Sequence, residues 1–333
     1  MVSIMDEKKS GGWTMGVFFD MLNRLALFAL LGVPGFILTR LGKIEERGRA
    51  ALVNLLLYVA MPFLVFSSLL RTDVRTLQAA EWITCTVFPA IIMGIVAGAC
   101  VLLFRGNSDK ARIDRFCATF ANCGFLGLPL AESLFPDRPA IALFISIYNI
   151  LSTVLLYVLG GAILSGAKNE AKAKSRSKIL FSPLTVGTVL AVICSLCDMG
   201  NRFTFLSTFA AIPAQMTTPL SMTVLGCLLA TLPKKPWWRE GGLWLSAGIK
   251  LIASPLLTIG ILLILTRLCR LPLGMDAMLA LLLSTAVSTA ASAPSMSEDY
   301  GRDPHYAAAL TLGSTLLCLI TLPLIYLLFN LIF

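Results

Sequence analysis

Charge is the first thing this chain is short of. Only 14% of its 333 residues are Asp, Glu, Lys or Arg, and 57% are hydrophobic. An average soluble domain has about 25% and roughly 45–50%. The mean hydropathy of +0.84 arrives as uninterrupted blocks such as Leu243–Thr266 and Tyr306–Phe333. Runs of about 20 apolar residues match the ~30 Å hydrocarbon layer as helices. A soluble multidomain protein is therefore excluded, and the chain reads as an all-α polytopic membrane protein.

Histidine is nearly absent: His305 stands alone, at a helix start, which excludes a multi-histidine metal site. Nine cysteines fall almost entirely inside the apolar blocks, where a free thiol behaves as a small apolar side chain. Cys194 and Cys197 have CxxC spacing, but no second pair or histidine stands near them to complete a metal or redox site. No motif for nucleophilic catalysis, phosphate cradling or nucleotide hydrolysis occurs, so neither an enzyme nor an ATP-driven pump is expected. No cofactor is expected either. The net charge of +9 could point to nucleic acid, but the basic residues sit in short loops and read as a topology signal. The amino-terminal residues are polar through Gly12 and carry no convincing cleavage site, so the first apolar block is expected to be retained.

Ten spans fit the hydrophobic pattern, at roughly 17–39, 50–70, 82–104, 116–134, 139–165, 179–200, 204–231, 243–267, 276–297 and 306–331. The loops after the odd spans hold 17 Lys and Arg, while the amino-terminal tail and the loops after the even spans hold 8. The positive-inside rule then puts the odd loops in the cytoplasm and both termini outside, in the cell membrane. Ten spans divide into halves at 1–165 and 179–333, joined by a Lys/Ala/Ser-rich linker at 166–178. An odd number of spans per half forces the halves into opposite orientations.

Prolines support such a repeat. Pro62 and Pro219, Pro89 and Pro255, and Pro129 and Pro294 occupy matching places. The last two are each followed by an acidic, Pro-containing link, Phe135–Pro139 and Asp299–Pro304. Spans 4 and 9 are unusual for membrane helices. Gly124, Gly127 and Pro129 interrupt the first, and Ser288, Thr289 and Ser292 precede Pro294 in the second. Unwound backbone at membrane depth is tolerated only where protein or a water-filled cavity satisfies it. Paired interruptions of this kind point to a transporter binding site. Close helix packing by small residues around two proline kinks is the competing reading.

Asn122 is the sharpest candidate ligand contact, because its amide can donate two hydrogen bonds to a carboxylate; it could equally cap the broken helix. Asn149 is similar. The hydroxyls of Ser288, Thr289 and Ser292 could line a facing wall or bond their own helix. Lys250 could attract an anion or stand in for a coupling cation, or snorkel to the membrane edge. Glu132 is a candidate proton carrier, with Glu298 in the parallel place. Asp20 and Arg24, one turn apart, are expected to pair with each other.

Three stretches resemble the auxin efflux carrier family in its short bacterial form, which includes malate and malonate permease-like proteins. They are Leu57–Pro62 with Phe66–Leu69, then Asn122–Leu130, and finally Ser292-Ala293-Pro294 through Glu298–Gly301 to Leu322-Pro323-Leu324. The resemblance spans essentially the whole chain. It implies two inverted five-helix repeats with spans 4 and 9 broken and crossing at Pro129 and Pro294. It also implies a scaffold with an elevator-like transport part, and dimerisation through scaffold helices. Asn122 becomes a substrate-site residue, and Lys250 falls where relatives tend to carry a positive charge. Ala121 replaces a proline of the plant carriers, Ala290 replaces a long amide, and their large central loop is cut to 166–178. These departures favour an organic acid smaller than auxin. The implied function is secondary transport of small organic anions, mono- or dicarboxylates such as malate or malonate, with proton or sodium coupling left open. An exporter of another small metabolite and a passive anion channel are the alternatives; a receptor is disfavoured for want of a soluble output module.

Overall fold

The computed structural model describes residues 11–72, 75, 77–165, 183–197, 199, 203–231 and 239–333. The linker at 166–178 lies outside the described residues, as do the side chains of Asp20 and Arg24 on which an ion pair was expected.

The described residues are helical, with no strand among them. In chain order the helices are α1 Gly11–Arg40, α2 Glu46–Leu70, α3 Ala79–Leu103, α4a Asp109–Thr119, α4b Cys123–Leu134, α5 Ala140–Ser165, α6 Pro183–Leu196, α7 Thr204–Ala230, α8 Gly241–Leu268, α9a Met275–Ala286, α9b Ala293–Asp299 and α10 Pro304–Ile332. Six of them (α2, α3, α5, α7, α8 and α10) are long and apolar enough to cross a membrane. Shorter apolar helices lie at the places expected for spans 1, 4, 6 and 9. The expectation of an all-helical membrane protein holds.

Three of the internal prolines explain irregularities in their helices. Proline has no N–H for the helical ladder and clashes with the preceding turn. A widened π turn sits two residues ahead of Pro62, Pro129 and Pro255, at Leu56–Ala60, Cys123–Gly127 and Ile249–Ala253. Such a turn re-routes the local hydrogen bonds without ending the helix. In α7, Pro213 and Pro219 are accommodated by a single irregular residue, Met216.

The helices pack as two groups. In one, α1 lies along α7, and α2 packs on α6 and α7. The α1–α7 contact is backbone to backbone: a Cβ on Gly226 would overlap the Gly32 carbonyl. This is small-residue packing, at a place the sequence reading did not single out. In the other group α3 and α9a pack on α5, while α8 and α9b pack on α10.

Ion pairs gather the helix ends into two sets. Lys110 meets Glu240 at 2.7 Å and Arg302 meets Asp109, joining the ends that follow α3, α7 and α9b. Arg71 meets Glu132 at 2.5 Å, Arg138 meets Asp276, and Glu81 accepts from the Gly274 N–H at 2.9 Å. These join ends that follow α2, α4b and α8. The two acidic links are thus used alike. Arg138, after α4b, holds the start of α9a, and Arg302, after α9b, holds the start of α4a.

Candidate functional site

Helices 4 and 9 are each interrupted, and the interruptions meet. The Asn122 N–H donates to the Ser288 carbonyl at 2.8 Å, and the Ala290 N–H donates to the Phe120 carbonyl at 3.0 Å. This antiparallel bridge between Ala121 and Thr289 satisfies backbone groups that lipid could not. The meeting point corrects the expectation that helices 4 and 9 cross at Pro129 and Pro294. Pro129 lies seven residues beyond Asn122, inside α4b, and Pro294 is in the first turn of α9b. Pro294 can sit in a helical first turn, because a helix start needs no N–H there, and Pro129 is accommodated by the π turn ahead of it. The unwinding is instead held by the bridge and its side-chain neighbours.

Those neighbours use up the hydroxyls of the α9 break. The Thr289 hydroxyl donates to the Cys117 carbonyl at 2.8 Å, capping the end of α4a, and the Thr289 N–H is held by the Ser314 hydroxyl at 3.1 Å. Thr315 donates to the Ser288 hydroxyl at 3.1 Å. Ser292 differs, because its carbonyl accepts from Ser295 but its own hydroxyl has no partner among the described residues. Pro294 is half-buried.

The α4 break is the opposite. The Asn122 carbonyl accepts from the Leu126 and Gly127 N–H groups at 3.1 and 3.2 Å, so the backbone starts α4b and the side chain makes no cap. The residue is only 3% exposed, and its Nδ2 has no hydrogen-bond partner. A buried amide donor without a partner costs about 1–3 kcal/mol. Asn149, on α5, accepts from the Cys123 thiol through Oδ1 at 3.1 Å, and its Nδ2 has no partner among the described residues. It approaches across Gly124, where a Cβ would lie 3.3 Å from that oxygen. Gly127 is buried in the π turn and has ordinary space around it.

Lys250, in the π turn of α8, is 1% exposed and does not reach the membrane edge. The groups within its electrostatic reach are the thiols of Cys123, Cys318 and Cys100, and no carboxylate pairs with it among the described residues. Cys318 in turn touches the Ala286 carbonyl at the end of α9a, at 3.7 Å. Asn149 and Lys250 therefore approach Cys123 from α5 and α8, and Asn122, whose Nδ2 has no partner, precedes it in the chain. Sequence reading treated the thiols as apolar filler; the Asn122-Cys123-Gly124 run was the available signal.

Glu132 lies elsewhere. At the far end of α4b it accepts from Arg71 and, at 3.2 Å, from the Ser68 hydroxyl. Glu298 is exposed. Among the described residues no His/Cys/Asp/Glu group could hold a metal, and Cys194 and Cys197 are free thiols. A cavity of about 200 Å³ opens beside the crossover between α1, α4b, α7 and α10, with a lining that includes Phe28, Leu126, Met222 and Cys318.

A model of the membrane transport protein family matches residues 22–326. A transporter of Methanothermobacter thermautotrophicus, described as uncharacterised, is 26% identical over 251 residues, covering 74% of this chain and 79% of its own. A second uncharacterised transporter, from Methanocaldococcus jannaschii, is 24% identical over 221 residues, covering 63% and 69%. With the family match over nearly the whole chain, this multi-pass membrane protein belongs to the membrane transport proteins of the auxin efflux carrier family.

Proposed function

We propose that the chain is a secondary transporter of small organic anions, mono- or dicarboxylates such as malate or malonate, working by alternating access in the cell membrane. The observation that carries this reading is the Asn149 amide and the Lys250 ammonium brought to Cys123 from two other helices, next in the chain to Asn122 with its partnerless Nδ2, and with no carboxylate pairing with Lys250 among the described residues. A carboxylate is a double acceptor that two amides and an ammonium would satisfy together, and charge-assisted hydrogen bonds are the strong ones. The amino-terminal ends of α4b and α9b add positive dipole ends beside them.

Two inverted five-helix repeats, with both termini outside, account for the paired uses of Arg138 and Arg302 and for the two-group packing. In this reading α1, α2, α6 and α7 form a scaffold, and the other helices carry the site past it like an elevator. Dimerisation would use the scaffold. The apolar cavity beside Cys318 favours the second reading, export of a small metabolite with an apolar body.

Counterflow in liposomes tests the proposal. Protein loaded with unlabelled malate, malonate, succinate, lactate or indole acetate is offered the matching labelled acid outside. Transient accumulation is expected, and the best acid names the substrate class. Folded protein that accumulates none of them would overturn the organic-anion reading.

A further inference from the structure

Among the described residues two carboxylates are buried, Glu81 on α3 and Asp114 on α4a, and they are held differently. Glu81 accepts backbone N–H groups from Gln78 and Gly274, at 2.8 and 2.9 Å. Asp114, on α4a and 6% exposed, has one hydrogen bond, from the Tyr306 hydroxyl at 2.8 Å. The backbone of Gly242 presses on it so closely that a Cβ there would collide with both carboxylate oxygens and that hydroxyl.

No cation pairs with Asp114 among the described residues, although many stand near. On its own helix Lys110 is engaged by Glu240 and lies over the Tyr306 ring at 5.0 Å. Arg112 donates to the Ile163 carbonyl, Arg115 to the Phe104 and Gly106 carbonyls, and Asp109 is held by Arg302. Titratable groups on the packed elements also include Cys117 one turn on, Cys85 and Cys100 on α3, Lys250 and Arg267 on α8, Glu298 and Asp299 on α9b, and His305, Cys318 and Tyr326 on α10. Asp114 stands two residues before the apolar run that begins at Phe116, outside the membrane-spanning stretch. Burial lifts its carboxyl to about 6; the Tyr306 hydrogen bond and Lys110 pull it down, and Glu240 adds to the rise.

Asp114 and the crossover are joined by one short helix. The helix carries five residues of the path, about 8 Å at the ~1.5 Å helical rise, and the three non-helical residues to Asn122 put the crossover roughly 12–17 Å from Asp114. The next turn ends at the Cys117 carbonyl that Thr289 caps. At that range, with an effective dielectric of about 20, a carboxylate weakens binding of a unit anion by about five- to tenfold.

We propose that Asp114 is a proton-binding site linked to anion binding at the crossover, so that the protein carries an organic anion together with a proton on Asp114. The proposal rests on the anion-site reading above. The proton adds to a carboxylate oxygen and removes the charge that repels the anion. Because linkage is reciprocal, bound anion must favour the proton equally.

The test uses lactate, which stays a monoanion between pH 5.5 and 8. Its affinity for the full-length protein is expected to rise about fivefold on going from pH 8 to pH 5.5, with proton uptake on binding in weakly buffered solution. In Asp114→Asn the affinity should be flat and tight, and proton uptake should vanish. An unchanged pH profile with uptake retained would overturn the proposal. Tyr306→Phe provides a second variant, expected to move the midpoint upward because the hydrogen bond to the charged form is gone. The infrared carboxyl band of Asp114, identified by its loss in Asp114→Asn, needs no anion. A midpoint near 6 in protein that binds none of the acids would remove the anion reading while leaving the proton site, and a midpoint near 4 would remove the proton site itself.

Discussion

The two interrupted helices meet at one bridge yet treat their polar side chains in opposite ways. In the α9 break the Thr289 hydroxyl reaches across to the end of α4a, and the Ser288 hydroxyl is met from α10. In the α4 break the Asn122 amide nitrogen is buried with no partner, and the half-buried Asn149 amide and the buried Lys250 ammonium approach the next residue, Cys123. The α9 break is therefore built to hold the crossover together, and the α4 break to hold something else. A polar group in a low-dielectric interior is paired in almost every stable structure, so donors left without partners at one place mark a function more clearly than donors that are satisfied.

That contrast can be broken experimentally. Lys250→Gln should have the largest effect, weakening a dianion more than a monoanion, with the dianion losing roughly 100-fold in affinity if a desolvated charge contact of about 3 kcal/mol is removed. Equal losses for the two anions would assign Lys250 to packing. Asn122→Ala should follow, at about tenfold or more in ligand affinity, in a folded and monodisperse protein. Unchanged affinity would take Asn122 out of the site. Thr289→Val is expected to act on the other side of the comparison. It should leave affinity per folded molecule unaltered and destabilise the protein by about 1–3 kcal/mol, read as a lowered Tm, because the Cys117 carbonyl loses its donor. A selective loss of affinity without loss of stability would merge the two breaks into one ligand site. Ser292→Ala should be smallest, within about 0.5 kcal/mol in stability. A clear drop in affinity there would bring the α9 break to the ligand.

Much of this was legible before any coordinates. The interruptions in helices 4 and 9, the matching links after them and the alternation of basic loops all follow from residue order. Hydropathy and proline act locally and leave marks in sequence. Asn122 was legible for the same reason, since an amide in the middle of an apolar run is costly wherever it points. Other features left no such mark. The crossing point is set by which carbonyls the two breaks offer one another, so it falls at Ala121 and Thr289 rather than at the prolines. Glu132 looked like a free carboxylate at a helix end until Arg71 and Ser68, more than sixty residues earlier, closed on it.

Sequence alone determined the class of molecule, because apolar blocks of membrane length between short basic loops admit few other solutions. It determined that helices 4 and 9 are broken, and it supplied the residues that carry the family resemblance. Tertiary structure decided which polar groups find partners. Cys123, Asn149 and Lys250 come from three different helices, and only packing brings an amide and an ammonium to one thiol, with no carboxylate paired to that lysine among the described residues. Only packing closes Gly242 and Tyr306 over Asp114. Pairing of polar groups is a property of neighbours in space, and those neighbours stand tens to nearly two hundred residues apart along the chain.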